Sequence, residues 1–219
     1  MLKFTYTFSG SRQFNLMERM KALALLATVG PMDGPEDRSG PTGCPLETAQ
    51  AGDLAAFELL MWQYERLVLV TALRLLGVLE DAQDASQEVF LRLYRNLNKV
   101  GTSGNLSGWL YRVTVNVCHD AHRKRRVSAP VEDAAGLPAL GADPQRTAIE
   151  TERRRALEMS LRMLPEKERA VLVLRDLEGL STEEVARVLG TTEATVRSQI
   201  SKARVKVRDF LERYFRRRT

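Results

Sequence analysis

The chain has 219 residues, 44% hydrophobic and 28% charged, which is enough apolar material for one or two cores and rules out a wholly disordered or low-complexity chain. Its longest uncharged apolar stretch runs only from Ala22 to Met32, whereas a membrane helix needs about 20 such residues, so no membrane span is expected. Two cysteines, Cys44 and Cys118, and two histidines exclude a disulfide framework and leave little to build a metal or cofactor site from.

The net charge of +5 is unevenly placed. Residues 128–150 hold one basic and four acidic side chains, whereas residues 151–219 hold 17 basic and 11 acidic ones. Nine basic residues fall within 195–219: Arg197, Lys202, Arg204, Lys206, Arg208, Arg213, Arg216, Arg217 and Arg218. A basic end of this kind suits a polyanion partner.

Residues 1–46 carry Pro31, Pro35, Pro41 and Pro45 among closely spaced glycines. Turn signals follow one another with no apolar periodicity, so 1–46 reads as an extension without a fold of its own. Ahead of the prolines, Arg19 to Val29 faintly resembles a signal peptide. The basic, cysteine-poor body that follows argues for a cytoplasmic protein.

From Asp53 the pattern turns helical. Leu54, Phe57, Leu60, Met61, Tyr64, Leu67, Val68 and Ala72 recur at three- and four-residue steps. Asp53 stands where an N-cap belongs, and Gly77 where a C-terminal glycine belongs. A second helix is expected from about Asp81, with Ala85, Val89, Leu93 and Leu97 on one stripe. A Gly/Ser/Asn loop then spans 100–107. A third helix runs from about Ser107 to Arg126 and ends in four consecutive basic residues. Residues 128–150, rich in Ala, Pro and Gly, read as a flexible acidic linker. Helix returns from about Thr151, punctuated at Pro165, Gly179 and Gly190. Leu occurs 31 times and Ile twice, and no stretch alternates for long. The expected fold is all-α: two small helical domains, 47–127 and 151–219, joined by the linker.

The most specific local signal runs from Leu180 to Ile200. Ser181 followed by Glu184 makes a capping box. Val185, Val188 and Leu189 form the apolar stripe of a short helix, and Gly190 permits the left-handed turn that ends it. Thr191 or Thr192 can cap a second helix, with Val196 and Ile200 facing inward. This is a helix-turn-helix. Its second helix would expose Arg197, Ser198, Lys202 and Arg204, donors suited to guanine edges and phosphates in a major groove.

Four motifs together resemble a known family. Leu164-Pro-Glu-Lys-Glu-Arg-Ala-Val-Leu and Thr195-Val-Arg-Ser-Gln-Ile-Ser-Lys-Ala-Arg are similar to the fourth conserved region of bacterial RNA polymerase sigma factors of the extracytoplasmic-function (ECF, group 4) class. Asp81-Ala-Gln-Asp-Ala-Ser-Gln-Glu-Val-Phe-Leu resembles that family's region 2.2, and Gly108-Trp-Leu-Tyr-Arg-Val-Thr-Val-Asn-Val the adjoining promoter-melting region. The resemblance covers about 47–127 and 151–219. It implies a sigma factor, without chemistry of its own, that directs core polymerase to promoters.

Residue by residue, it implies that Asp84, Gln87, Glu88 and Leu91 dock on the clamp helices of the polymerase β′ subunit. Their spacing puts them on one helix face. Region 4 would meet the β flap. Asn116 would hold a base flipped from the minus-ten element, in a pocket lined by Gly101, Thr102, Ser103 and Asn105. Trp109 and Tyr111 could stack on unpaired bases, although a Trp at helical spacing also reads as core. Arg112, Arg123, Lys124 and Arg125 would follow the minus-ten backbone. Thr192, Thr195, Arg197, Ser198, Ser201, Lys202 and Arg204 would face the minus-thirty-five element. Family members are commonly held by an anti-sigma factor, so one is expected as a partner; no small-molecule substrate is. His119 and His122, one turn apart around Asp120, are better read as an exposed helix face than as metal ligands.

Two rivals remain. A free-standing helix-turn-helix regulator gives no reason for the Asp84, Gln87, Glu88 pattern. A DNA-processing enzyme such as a recombinase needs clustered carboxylates or a nucleophile, and neither stands out.

Overall fold

The computed structural model describes residues 45–100, 106–128 and 144–216, and among them there are only helices. The first is α1, Pro45–Gln50, with Leu46 and Ala49 buried. The Gln50 amide donates to the Leu97 and Val100 carbonyls at 2.7 and 2.8 Å, tying α1 to the far end of the bundle. Pro45 and Leu46 therefore belong to the fold, because Leu46 gives the core an anchor just ahead of the expected boundary. The rest of the N-terminal extension, 1–44, lies outside the described residues.

Helix α2, Leu54–Leu76, starts where the Asp53 carboxylate accepts from the Ala55 and Ala56 amides at 2.8 and 3.3 Å. It stops at Gly77, whose φ of 74° only glycine adopts freely. Every residue from Leu67 to Ala72 is buried, so α2 is the central rod that its neighbours surround. Helix α3, Leu79–Asn96, buries Ala82, Ala85, Val89 and Leu93 against it, and a 3-10 turn at Leu97–Lys99 follows. Helix α3 begins two residues before the expected Asp81, with Val78 at the N-cap offering no side-chain bond. Helix α4, Leu106–Ser128, completes the bundle. Its buried Thr114 hydroxyl donates to the Leu110 carbonyl at 2.8 Å, so that polar group is satisfied inside the core.

The second half opens with α5, Pro144–Arg162. This corrects the linker boundary: the helix starts inside 128–150, with a proline at a first-turn position that needs no amide hydrogen. Residues 129–143 of the expected linker lie outside the described residues. Helix α6, Glu166–Leu172, runs into a π-helical turn, Val173–Leu177. Helix α7, Thr182–Leu189, and α8, Glu193–Arg216, follow. One continuous apolar core includes Leu60, Val68, Leu93 and Leu110 of the first half and Leu161, Leu164, Val171, Leu174, Val185 and Val196 of the second. The two halves, expected to hang separately on a linker, are packed together.

Candidate functional site

Helix α3 turns one face to solvent opposite its buried stripe. Asp84 is exposed, Leu91 is 44% exposed, and Gln87 and Glu88 are half-buried between them. The Arg92 guanidinium donates to Glu88 at 2.7 Å. The four residues read from the sequence do share a face. Tyr94, half exposed with its ring edge-on to Phe57 at 5.2 Å, extends that face. Its three-residue step from Leu91 was the signal available for finding it.

Helix α4 holds the residues assigned to the minus-ten element. Arg112 and Asn116, four apart, are exposed on one side. Trp109 is half-buried against the core. Tyr111 is not a stacking platform: it is buried, and its hydroxyl donates to Glu178 at 3.3 Å. Burial, and then the Glu178 charge, hold that phenol far above its usual pKa. Arg123, Lys124 and Arg125 are exposed, and Arg125 reaches Asp81 at 3.2 Å. Gly101, Thr102, Ser103 and Asn105 lie outside the described residues. His119 and His122 are engaged separately, His119 with Glu166 at 3.3 Å and the His122 ring with the Leu75 carbonyl at 3.2 Å. Cys118 is buried, which pushes its thiol up to about 12.

The helix-turn-helix forms as the local chemistry requires. Ser181 Oγ accepts from the Glu184 amide at 3.1 Å, and the Glu184 carboxylate accepts from the Ser181 amide at 2.7 Å. Those bonds hold the Glu184 carboxyl below its usual range. Gly190, φ 61°, ends α7. The Thr192 hydroxyl caps α8 by accepting from the Thr195 amide at 3.2 Å, and the two threonine hydroxyls meet at 2.9 Å. Val185 and Val196 are fully enclosed between the two helices. Arg197, Ser198, Ser201 and Lys202 are exposed along α8, and Arg197 forms an ion pair with Glu193 one turn back. Arg204 is placed differently. Its guanidinium donates twice to Asp176, at 2.9 and 2.7 Å, and that bond raises its pKa. Lys206 likewise holds Glu168 at 2.8 Å. Arg204 is thus exposed beside Lys202 and, like Arg197, already holds an ion-pair partner.

A polar seam between the halves has no signature in the sequence. Arg74 of α2 donates to the Leu177 carbonyl at 3.1 Å and to Glu178 at 2.7 Å, and Tyr111 of α4 meets the other Glu178 oxygen. The Glu178 side chain is wholly buried. Arg169 of α6, also buried, donates to the Leu75 carbonyl at 2.7 Å and to the Arg162 and Leu164 carbonyls at 3.0 Å. Arg162 donates to the Gly77 carbonyl. Two cations of the second half therefore cap the C-terminal carbonyls of α2, where the helix dipole favours positive charge. Each residue looks ordinary in its own segment; only the fold unites positions about a hundred apart.

The family model for Sigma-70 region 2 matches residues 60–127, and that for Sigma-70, region 4 matches residues 154–207. The chain is 35% identical over 199 residues to the ECF RNA polymerase sigma factor SigE of Mycolicibacterium smegmatis, covering 88% of this chain and 77% of that one. It is 34% identical to the RNA polymerase sigma-H factor of Pseudomonas aeruginosa, covering 73% and 88%. Among solved structures it is similar to CnrH in complex with the cytosolic domain of CnrY, at 25% identity and a TM-score of 0.57, covering 77% and 95%. The fold also matches the sigma factor RpoE of Bartonella quintana, solved with the anti-sigma factor NepR, at 22% identity and a TM-score of 0.60, covering 73% and 98%.

Proposed function

Because the chain belongs to the ECF family of RNA polymerase sigma factors, we propose how its surfaces divide the work of starting transcription. Asp84, Gln87, Glu88 and Leu91 on α3 dock on the β′ clamp helices of core polymerase, and the second half meets the β flap. Helix α4, through Trp109, Arg112, Asn116 and the basic run Arg123 to Arg125, together with the 101–105 segment, captures the melted minus-ten strand. Helix α8 presents Arg197, Ser198, Ser201 and Lys202 to the minus-thirty-five major groove. Readout is split between single-strand base capture and groove contacts. The free-standing regulator is not favoured, since it leaves the first-half match unexplained.

The chain acts as a group 4 factor in the cytoplasm, contributes no catalytic step of its own, and is held in reserve by an anti-sigma factor. Its two units open at Pro45 and at Pro144. The observation that carries this reading is the conjunction, in one chain, of the exposed α3 face opposite a buried stripe and a capped helix-turn-helix with open donors. The test is runoff transcription: purified chain is added to core polymerase on a library of promoter fragments. Specific start sites that appear only with the chain support the reading; unchanged transcription together with failure to co-purify with core overturns it.

A further inference from the structure

We infer that the exposed apolar patch on the first turns of α2 is the docking site of this chain's own N-terminal extension, whose residues 16–29 seat on Leu59 and Trp62. Leu59 is 61% exposed and Trp62 50% exposed. They stand about one turn apart on α2, and the exposed Ala55 lies one turn before Leu59. Leu54, 47% exposed, opens the same helix. The buried stripe of α2, which includes Phe57, Leu60, Leu67 and Val68, faces the other way, so packing inside the bundle gives no reason for a leucine and a tryptophan at these two positions. A single exposed leucine needs no explanation, but large apolar side chains gathered on one face mark a surface that something covers. This face is carried by α2, whereas α3 holds the polymerase-docking residues and α4 and α8 hold the promoter residues.

The chain itself carries a matching partner. Its longest uncharged apolar stretch, Ala22 to Met32, lies in the extension, ahead of the proline-rich turns. Leu16, Met20, Leu23 and Ala27 recur there at three- and four-residue steps, the spacing of an apolar helical stripe. Such a stripe is too short to cross a membrane and gains by leaving water only against another apolar surface. The tether is long enough. The extension rejoins the fold at Pro45 in α1, which packs on α2. Residues 30–44, fully extended, span about 50 Å, whereas the whole of α2, 23 residues long, measures about 34 Å. Charge agrees as well: Arg19 and Lys21 flank the apolar run, and the exposed Glu58 stands one turn before Trp62 at the edge of the patch. Because the two surfaces belong to one chain, docking is an intramolecular event, and a patch too small to hold a free partner suffices.

The experiment reads both surfaces in the full-length chain. Trp62 and Trp109 are its two tryptophans, so Trp109→Phe leaves Trp62 as the sole indole. In that background Met20→Asp with Leu23→Asp should shift the emission to the red. It should also raise acrylamide quenching about twofold, because a docked partner closes one face of the indole ring. Removing residues 1–30 should give the same spectrum and the same quenching. From the other side, Leu59→Asp changes an exposed position and should leave thermal melting unchanged. It should speed tryptic cutting after Arg19 and Lys21 about tenfold, the ratio for a segment docked about nine-tenths of the time in wild type. Equal quenching of Trp62 in the full, substituted and truncated chains overturns the docking, as does tryptic cutting that Leu59→Asp leaves unchanged. Quenching that falls as protein concentration rises, or only when core polymerase is added, assigns the patch to a second copy or to polymerase and overturns it too.

Discussion

Arg197 and Arg204 lie two turns apart on α8, both exposed, and differ in their ion-pair partners. Arg197 pairs with Glu193 within its own helix, an exposed pair of a kind worth about 0–1 kcal/mol, and can release it to a guanine edge. Arg197→Ala should therefore lose about 1–3 kcal/mol of discrimination at a single minus-thirty-five position. Arg204 is held by both oxygens of Asp176, so Arg204→Ala should lower thermal stability slightly and affect all promoters alike. Arg216, in the last turn of α8, lies beyond the groove-reading turns and can meet only phosphate. Its replacement by Ala should weaken every promoter and reduce the salt slope by about 0.9. Runoff transcription by holoenzyme on a panel of minus-thirty-five variants at several salt concentrations separates the three. A changed promoter ranking with Arg204→Ala, and none with Arg197→Ala, would mean the helix is turned the other way. On α3 the matching prediction is that Gln87→Ala with Glu88→Ala melts like wild type and binds core polymerase more weakly. Unchanged affinity in a folded double variant removes these residues from the docking face. Sequence spacing located the α3 face because one helix sets both its buried and exposed sides. It could not show that Arg204 is occupied, because Asp176 comes from another element.

The elements with local stop and start chemistry were the legible ones. Asp53, Gly77, Ser181 and Gly190 act within four residues of themselves, and all four cap the helices expected of them. Helix α3 starts at Leu79 without a side-chain cap, so the sequence offered only Asp81 to mark it. Helix α5 reaches back to Pro144 through polar residues that carry no stripe, and composition alone read them as linker. Among the capped elements, α7 allows a pH test. Its Glu184 carboxyl is depressed by the Ser181 backbone and hydroxyl bonds. A group depressed in the folded state contributes stability above its unfolded pKa and loses it as pH falls through its folded pKa. Thermal melting across the acid range should show that loss in wild type. Ser181→Ala should cost about 1 kcal/mol at neutral pH and flatten the acid limb, and Glu184→Gln should flatten it too. An acid limb identical in all three proteins would show that the capping box does not set it.

At the scale of the whole molecule, the sequence announced two units and was silent on their meeting. The motifs of each half lie within short windows, whereas Arg74 and Glu178, or Leu75 and Arg169, are separated by about a hundred residues and belong to no repeating pattern. The two facts combine in one prediction. Residues 129–143 contain two prolines and carry three acidic and no basic side chains, the composition expected of a linker. Limited proteolysis of the full chain should therefore cut first between Val127 and Pro144, yielding one fragment that carries α1 to α4 and one that carries α5 to α8. If the seam and the shared core hold the halves together without the covalent link, the nicked fragments should co-elute in gel filtration. They should separate when the cut is made in Arg74→Glu, because one half then keeps the buried Glu178 carboxylate without its cation. Core polymerase added to nicked wild type should also part them, by occupying the two halves at distant sites. First cuts inside α2 or α4 would argue against the two-unit layout. Wild-type fragments that separate as readily as those of Arg74→Glu would mean that the tether alone, and not the seam, keeps the halves near each other.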